Sequence, residues 1–192
     1  QPVAAYRVLR RAGGGQRAAA FRSALVNRRM EWEALERAFD AIGAGRGGIF
    51  FLTGDAGLGK TRLIEEAVER RLPAHALGRA FESSAASYEA VQSYGLLTRL
   101  LRQPLGLMAG DAPSLVRERL AAAAQPDDIP ILETLFGIAP SGNGHEPAGE
   151  EFARRLDGCL ERFWRAQCAA GPLVLALDEL QWLDASSADR LA

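Results

Sequence analysis

Lys60 is the one lysine among the 23 basic residues of this 192-residue chain, and it lies in the glycine-rich stretch FLTGDAGLGKTRLIEEA. The spacing G-x-x-x-x-G-K-[ST] is matched by Gly54, Gly59, Lys60 and Thr61. In this pattern glycines let backbone N–H groups face a phosphate, and a helix that begins at the lysine adds its positive dipole end. A compact ammonium on a flexible stem fits such a cradle better than a planar guanidinium does. The stretch therefore predicts a phosphate-binding loop.

Two adjacent acids, Asp178 and Glu179, follow the apolar run LVLAL. They are expected at the carboxyl edge of a parallel sheet, where ligands bind in open α/β folds. The Asp178 carboxylate and the Thr61 hydroxyl are candidate ligands of Mg²⁺, while Glu179 could orient or deprotonate an attacking water. Acids in this order favour hydrolysis of a nucleotide over phosphoryl transfer to a small acceptor. Lys60 and Glu179 are therefore the candidate catalytic residues.

The candidate binding residues comprise the whole loop and the start of the next helix. They are Gly54, Asp55, Ala56, Gly57, Leu58, Gly59, Lys60, Thr61 and Arg62. The alternative for the loop is a glycine-rich turn without a ligand, and the alternative for the acids is an ordinary strand end. An apolar strand followed by acids is a weak pattern alone. Together with an upstream phosphate loop, it favours a nucleotide site.

Apolar periodicity predicts strands that alternate with helices. The helices are expected at 28–43, 61–72, three short stretches within 93–137, 150–169 and a last segment that Asp184 caps. The strands are expected at 48–53, 75–81 and 172–179. The first of these, GIFFLT, is apolar throughout, which is typical of a strand buried on both faces of a parallel sheet. The alternation predicts an α/β fold with a parallel sheet flanked by helices.

Composition argues against several classes of protein. The net charge of −1 provides no electrostatic attraction for nucleic acid or an anionic membrane. The sequence has no apolar run of about 18 residues, the length that spans a bilayer, and no recognisable secretory signal. Cys159 and Cys168 are expected to be buried thiols in a reducing compartment. These features predict a cytoplasmic protein whose segment contacts neither membrane nor nucleic acid directly.

The segments LVNRRMEWEALERAF, GIFFLTGDAGLGKTRLIEEA and PLVLALDELQWLDASS resemble the ATPase module of STAND signalling proteins, a branch of the AAA-like P-loop ATPases. The resemblance covers about residues 25–192 and implies ATP and Mg²⁺ as cofactors. The family has a V-G-R-E-like box that lines the adenine pocket, and here the box reads Val26-Asn27-Arg28-Arg29, with Val26 and Arg28 matching. The resemblance thus implies an adenine contact by Val26. Trp182 is interpreted as a packing residue.

Two domains are predicted. Residues 1–25 contain PVAAYRVL, which resembles the closing strand of a class III cyclase domain, although an ordinary N-terminal arm is the alternative. Residues 26–192 are interpreted as a partial P-loop ATPase domain, with a helical insertion at about 93–137 and a mobile loop at 138–149. The resemblance places the sensor strand after residue 192, between the strands at 48–53 and 172–179. We therefore expect a truncated sheet and weak ATP hydrolysis by this segment alone.

The predicted function is that of a nucleotide-driven switch in a signalling or transcriptional regulator of the cyclase-linked or LuxR type. Its expected partners are ATP and ADP, together with other domains of the same polypeptide. Those domains could be a cyclase upstream and helical repeats or a DNA-binding domain downstream. The alternatives are an ATP-binding scaffold without significant hydrolysis and an origin-loader-like ATPase associated with DNA.

Overall fold

The computed structural model describes residues 27–74, 79–85, 93–141 and 147–191. These residues contain seven α-helices, two β-strands and two short 3₁₀ helices. The predicted strand at 1–25, the adenine contact of Val26 and the middle of the predicted loop at 138–149 lie outside the described residues.

The two strands form a parallel pair. β1 (Arg79–Ser84) and β2 (Leu173–Asp178) align from Arg79 opposite Leu173 to Ser84 opposite Asp178. This parallel pairing agrees with the predicted α/β fold. The predicted strand at 75–81 corresponds to β1. It was expected to end at residue 81, but β1 continues through polar residues to Ser84. Backbone hydrogen bonds to β2 hold these residues in the ladder whatever the polarity of their side chains.

The prediction of a buried strand at 48–53 is wrong for this structure. Residues 46–55 are not assigned to a strand, and neither β1 nor β2 pairs with them. The side chains of Ile49 and Phe51 are 82% and 76% exposed. Apolar character alone does not make a strand, because the ladder requires a partner for its backbone N–H and C=O groups.

Two helices next to the predicted loop pack against each other and against one face of the sheet. They are α1 (Arg29–Gly43) and α2 (Lys60–Ala74). Their contact buries Leu35, Phe39, Leu63, Ala67 and Val68, and Ala80, Val174 and Ala176 of the two strands pack against this cluster. Arg71 of α2 also forms ion pairs with Glu36 and Asp40 of α1. The predicted helix at 28–43 and its apolar face are thereby confirmed.

A larger apolar core lies in the helical region that follows β1. It involves α3 (Gly95–Arg102), α4 (Pro113–Ala123), α5 (Ile129–Leu135) and α6 (Gly149–Ala169), with a 3₁₀ helix (Pro126–Asp128) before α5. Among its fully buried side chains are Leu120, Leu132 and Leu156. Cys159 is buried here as expected, but Cys168 near the end of α6 is exposed, which corrects the prediction for that thiol.

The helical region joins the sheet through the end of α6. The ring of Trp164 lies 6.1 Å from the ring of Phe81 on β1, measured between centroids. The Arg79 guanidinium donates to the Gln167 side chain at 2.9 Å. Since side chains alternate along a strand, Phe81 faces α6 while its neighbour Ala80 faces the α1–α2 pair. Helices therefore cover both faces of the described sheet.

Glu133 is a fully buried carboxylate in α5. It accepts hydrogen bonds from Arg117 Nε at 2.8 Å, Ser141 N at 2.5 Å and Ser141 Oγ at 2.7 Å. Burial alone would raise the pKa of Glu133, but these donors outweigh it and hold the pKa below its usual value. The contacts connect Ser141, which lies in the segment that was predicted to be a mobile loop, to α5.

Substitution Glu133→Gln should lower the free energy of unfolding by about 2 kcal/mol at pH 7, because it weakens a buried, charge-assisted network. A lowered folded-state pKa stabilises the fold above the unfolded-state value of about 4.3. This stabilisation is lost as the pH falls through the window below that value. Urea unfolding at several pH values should therefore show the variant and the parent converging at low pH. Glu118→Gln, on the exposed side of α4, is the matched control, and equal losses in both variants would contradict this account.

Candidate functional site

Residues 54–59 form a tight turn that leads into α2. Gly57 and Gly59 have φ angles of +82° and +78°, a left-handed region that glycine adopts without a steric penalty. A Cβ atom at Gly54 would lie only 3.3 Å from Leu58 Cδ1, so the Leu58 side chain lies over this glycine. The backbone of the turn therefore explains why glycine occupies positions 57 and 59.

Lys60, the first residue of α2, reaches back over the turn. Its Nζ donates to the carbonyl oxygens of Gly54 at 2.8 Å and Asp55 at 2.9 Å. The ammonium thus lies beside the N-terminus of α2, where N–H groups without intrahelical partners and the helix dipole both favour an anion. An anion bound at this turn would meet a positive charge and backbone donors together.

Thr61 and Asp178 are 117 residues apart in sequence but in contact in the structure. Thr61 Oγ1 donates to Asp178 Oδ2 at 2.5 Å. The other carboxylate oxygen, Oδ1, accepts the backbone N–H of Glu179 at 2.8 Å. The contact brings the start of α2 against the end of β2. The predicted loop and the predicted acid pair therefore belong to one site.

Glu179 has a left-handed backbone conformation, with φ +55° and ψ +34°. For a residue with a Cβ this costs on the order of 1 kcal/mol, and such strain is concentrated at functional sites. Its carboxylate accepts a hydrogen bond from the side-chain amide of Gln181. Trp182 N also donates to Glu179 O at 2.9 Å, in the 3₁₀ helix Leu180–Trp182. Glu179 is thus oriented by its own short turn.

Asp184 fixes the far end of this turn to the helical region. It is 5% exposed, and its Oδ1 accepts the backbone N–H groups of Ser187 and Tyr94, each at 2.8 Å. Burial alone would raise the pKa of Asp184, but these hydrogen bonds hold the pKa below its usual value. The bond to Ser187 is in agreement with the predicted cap of α7 (Ala185–Leu191). The bond to Tyr94, next to α3, has no local signal in the sequence.

Other predicted site residues lie in the turn or directly after it. Arg62 Nε lies 3.9 Å from Glu66 Oε2, so its side chain follows α2, although its backbone N–H remains in the first turn of that helix. Asp55 and Ala56 are exposed in the turn. Trp182, interpreted as a packing residue, is 47% exposed, which corrects that expectation.

Two polar residues at the site were not predicted as site residues. Arg28, just before α1, donates from Nη2 to the carbonyl oxygen of Leu58 at 2.7 Å. Gln181 contacts Glu179, as described above. The sequence signals were the match of Arg28 to a family box and the position of Gln181 two residues after the acid pair. Neither signal specifies the contact that the side chain makes.

Thr61 and Asp178 fit a magnesium ion better than a metal that needs several protein ligands. Within the described ranges, no group of three or more His, Cys, Asp and Glu side chains could hold a metal. Mg²⁺ typically takes one or two protein ligands and completes its shell with waters and substrate phosphates. A hydroxyl and a carboxylate oxygen in contact beside a phosphate-type loop have this donor chemistry.

The model of a known family, described as the AAA ATPase domain, matches residues 24–192. The chain belongs to the AAA ATPase domain family. This AAA ATPase domain is thus an AAA-like P-loop ATPase module, and nucleotide binding is the property that the family implies. The match gives no finer subclass, so the STAND resemblance rests on the sequence segments alone.

A relative of the AAA ATPase domain is the uncharacterized protein R02095 of Rhizobium meliloti (strain 1021). It is 28% identical over an alignment of 177 residues, and the match covers 87% of this chain and 16% of that protein. The chain therefore spans about one sixth of the relative's length. No solved structure matches the chain significantly. None of the helices in the described part of the AAA ATPase domain has the length and apolarity needed to cross a membrane.

Substitution Asp184→Ala should loosen the turn that carries Glu179, because two backbone N–H groups lose their buried acceptor. Hydrogen exchange, followed by mass spectrometry or NMR, should become about tenfold faster or more at the amides of Tyr94 and Ser187. Asp189→Ala, on the exposed side of α7, is the control and should leave both amides protected. Equal protection in the two variants would mean that Asp184 does not hold this junction.

Proposed function

We propose that this AAA ATPase domain binds and hydrolyses ATP with Mg²⁺, and that its nucleotide state is a switch in a cytoplasmic signalling or transcriptional regulator. The observation that carries the proposal is the 2.5 Å contact between the Thr61 hydroxyl and the Asp178 carboxylate. It unites a glycine-rich turn at a helix N-terminus with acids at a strand end. The contact is exposed, so the need to satisfy buried polar groups does not explain it.

Lys60 and the backbone of the turn bind the phosphates in this proposal. An ammonium has three N–H donors, and the Gly54 and Asp55 carbonyls accept two of them. The flexible stem allows the ammonium to exchange a carbonyl for a phosphate oxygen without moving the backbone. The N-terminus of α2 adds donors that point at the same anion. Gly54, Asp55, Ala56, Gly57, Leu58, Gly59 and Arg62 complete the proposed cradle.

Thr61 and Asp178 hold Mg²⁺ in this proposal. When bound, the ion supplies neutralisation of charge on the β- and γ-phosphates. The protein contributes the orientation of the two ligands. The Glu179 N–H fixes one Asp178 oxygen at 2.8 Å, which leaves the other directed at Thr61.

Glu179 positions or deprotonates the attacking water in this proposal. Gln181 donates to one oxygen of its carboxylate, so the other oxygen can accept a hydrogen bond from water. The left-handed conformation of Glu179 directs the side chain differently from an ordinary extension of β2. A binding-only scaffold would have no use for a carboxylate held by a strained backbone, which favours hydrolysis over the scaffold.

The wider role is proposed from the resemblance to STAND modules. Val26 would contact the adenine, and residues 1–25 would connect the domain to an upstream cyclase or another output domain. Helical repeats or a DNA-binding domain would follow. An origin-loader-like role is less favoured because the net charge of −1 provides no basic surface for DNA. ATP binding would then bias the relative orientation of such domains, as in other nucleotide switches.

We also propose that a further strand, outside residues 1–192, inserts between segment 46–53 and β2. Within the described part of the chain, β2 pairs on one edge, with β1. Segment 46–53 pairs with neither β1 nor β2 and exposes Ile49 and Phe51. A strand between them would pair with both backbones and cover these side chains.

The full-length protein tests the ATPase proposal through two substitutions. Lys60→Ala should weaken ATP binding about a hundredfold, because the charged donor to the phosphates is lost. Glu179→Gln should retain ATP binding and lower turnover about a hundredfold, as expected when a positioned base is removed. Fluorescent-nucleotide titration measures binding and phosphate release measures turnover. Glu150→Gln, at the exposed start of α6, is the control. A parent protein that binds ATP without releasing phosphate would instead establish the scaffold, and unchanged turnover in Glu179→Gln would refute the role of Glu179.

Residues 1–192 expressed alone should be poorly soluble and should release phosphate only slowly, because the exposed apolar segment and strand edge promote association. Size-exclusion chromatography and a phosphate-release assay check this expectation. A monodisperse segment that completes many turnovers would contradict the proposal of an inserted strand.

A further inference from the structure

Arg28 connects the start of α1 to the phosphate loop. Its Nη2 donates to the carbonyl oxygen of Leu58 at 2.7 Å, and its Nη1 donates to Glu31 Oε1 at 2.7 Å. The guanidinium fork therefore spans two acceptors with fixed geometry. One acceptor lies in its own helix and the other lies 30 residues away in the loop.

The direction of the Leu58 carbonyl determines the direction of the neighbouring Gly59 N–H. The carbonyl of Leu58 and the N–H of Gly59 belong to one planar peptide unit, and in a trans peptide they point in opposite directions. Gly59 has a φ angle of +78°, and glycine reorients at low steric cost because it lacks a Cβ. A donor that holds the Leu58 carbonyl on one side therefore directs the Gly59 N–H to the other side.

Arg28 is itself held rigidly enough to act as an anchor. Its backbone carbonyl accepts the N–H of Trp32 at 2.9 Å, in the first turn of α1. The hydrogen bond from Arg28 lowers the pKa of Glu31, so the contact favours the charged carboxylate. Helix α1 is packed against α2 through the Leu35–Phe39 face. The loop thus has α2 directly after it and the start of α1 beside it.

We propose that Arg28 is a positioning residue, which orients the Leu58–Gly59 peptide so that the Gly59 N–H faces a bound triphosphate. The role rests on the proposed nucleotide function and deepens it. Arg28 acts through the loop backbone. It thereby favours binding of the phosphate chain of the ligand and does not contact the base. The competing role is a direct contact between Arg28 and adenine, and the two roles differ in which part of the nucleotide they serve.

Inorganic triphosphate separates these roles, because it carries the phosphates and lacks the base. In the full-length protein, its competition with a fluorescent ATP analogue should weaken about tenfold in Arg28→Ala, as for loss of one charge-assisted hydrogen bond. The affinity for ATP should weaken by the same factor. Arg28→Lys should fall between the parent and the alanine variant, since one ammonium cannot reproduce a fork that serves two acceptors.

Arg29→Ala is the matched control. Arg29 is adjacent in sequence, its side chain is 91% exposed, and it pairs with Glu33 within α1. It should leave both affinities unchanged. Weakened ATP binding with unchanged triphosphate competition in Arg28→Ala would assign the residue to the base, and no change in either affinity would make the Leu58 contact incidental. Either result overturns the proposal.

Thermal unfolding of each variant checks that a loss of binding does not result from a loss of the fold. If Arg28→Ala unfolds, the variants Arg28→Lys and Glu31→Gln are tested in its place, because each weakens the hydrogen bonding of the Arg28 guanidinium to Glu31 and Leu58. Unchanged triphosphate competition in both variants overturns the proposal. A parent protein that binds neither ATP nor inorganic triphosphate refutes the proposed nucleotide function. A parent that binds both, with an Arg28→Ala variant that does so equally well, refutes only the role of Arg28.

Discussion

The contact between the Thr61 hydroxyl and the Asp178 carboxylate ties the start of α2 to the end of β2. A helix that follows a loop can adopt many orientations, and the end of a strand can fray. The site therefore requires that the start of α2 and the end of β2 are both fixed. The hydrophobic surface between α1, α2 and the strands brings them near each other. The polar contact then selects one relative position, because a hydrogen bond tolerates far less variation in geometry than apolar packing does.

The same arrangement extends outward through a short series of backbone contacts. Asp178 accepts the N–H of Glu179, the 3₁₀ turn leads to Asp184, and Asp184 accepts the N–H of Tyr94 beside α3. The Tyr94 ring in turn packs edge-on against Phe152 of α6, with 5.6 Å between centroids. The acids at the strand end are therefore joined to the large helical core. The position of the turn is thereby fixed relative to that core.

Sequence patterns predicted the parts whose causes are local. The glycines, Lys60 and Thr61 lie within eight residues, so their geometry follows from the turn itself. The buried faces of the long helices follow from spacing. Segment 48–53 was mispredicted because its pattern is local but strand pairing is not. The Asp184–Tyr94 contact joins residues 90 positions apart. Glu133 was missed because it occupies a mainly apolar helix. Such links depend on tertiary structure that periodicity does not encode.

Stability is distributed unevenly between the helical region and the candidate site of this domain. The helical region buries a continuous apolar core around Leu120, Leu132 and Leu156, which makes opening costly. The site depends on exposed polar contacts such as those of Lys60 and Thr61, which individually contribute little in water. A ligand that replaces several of these contacts at once therefore stabilises mainly the site and leaves the helical core almost unaffected. Such a difference in rigidity allows a small ligand to order one half of a domain while the other half remains a fixed support.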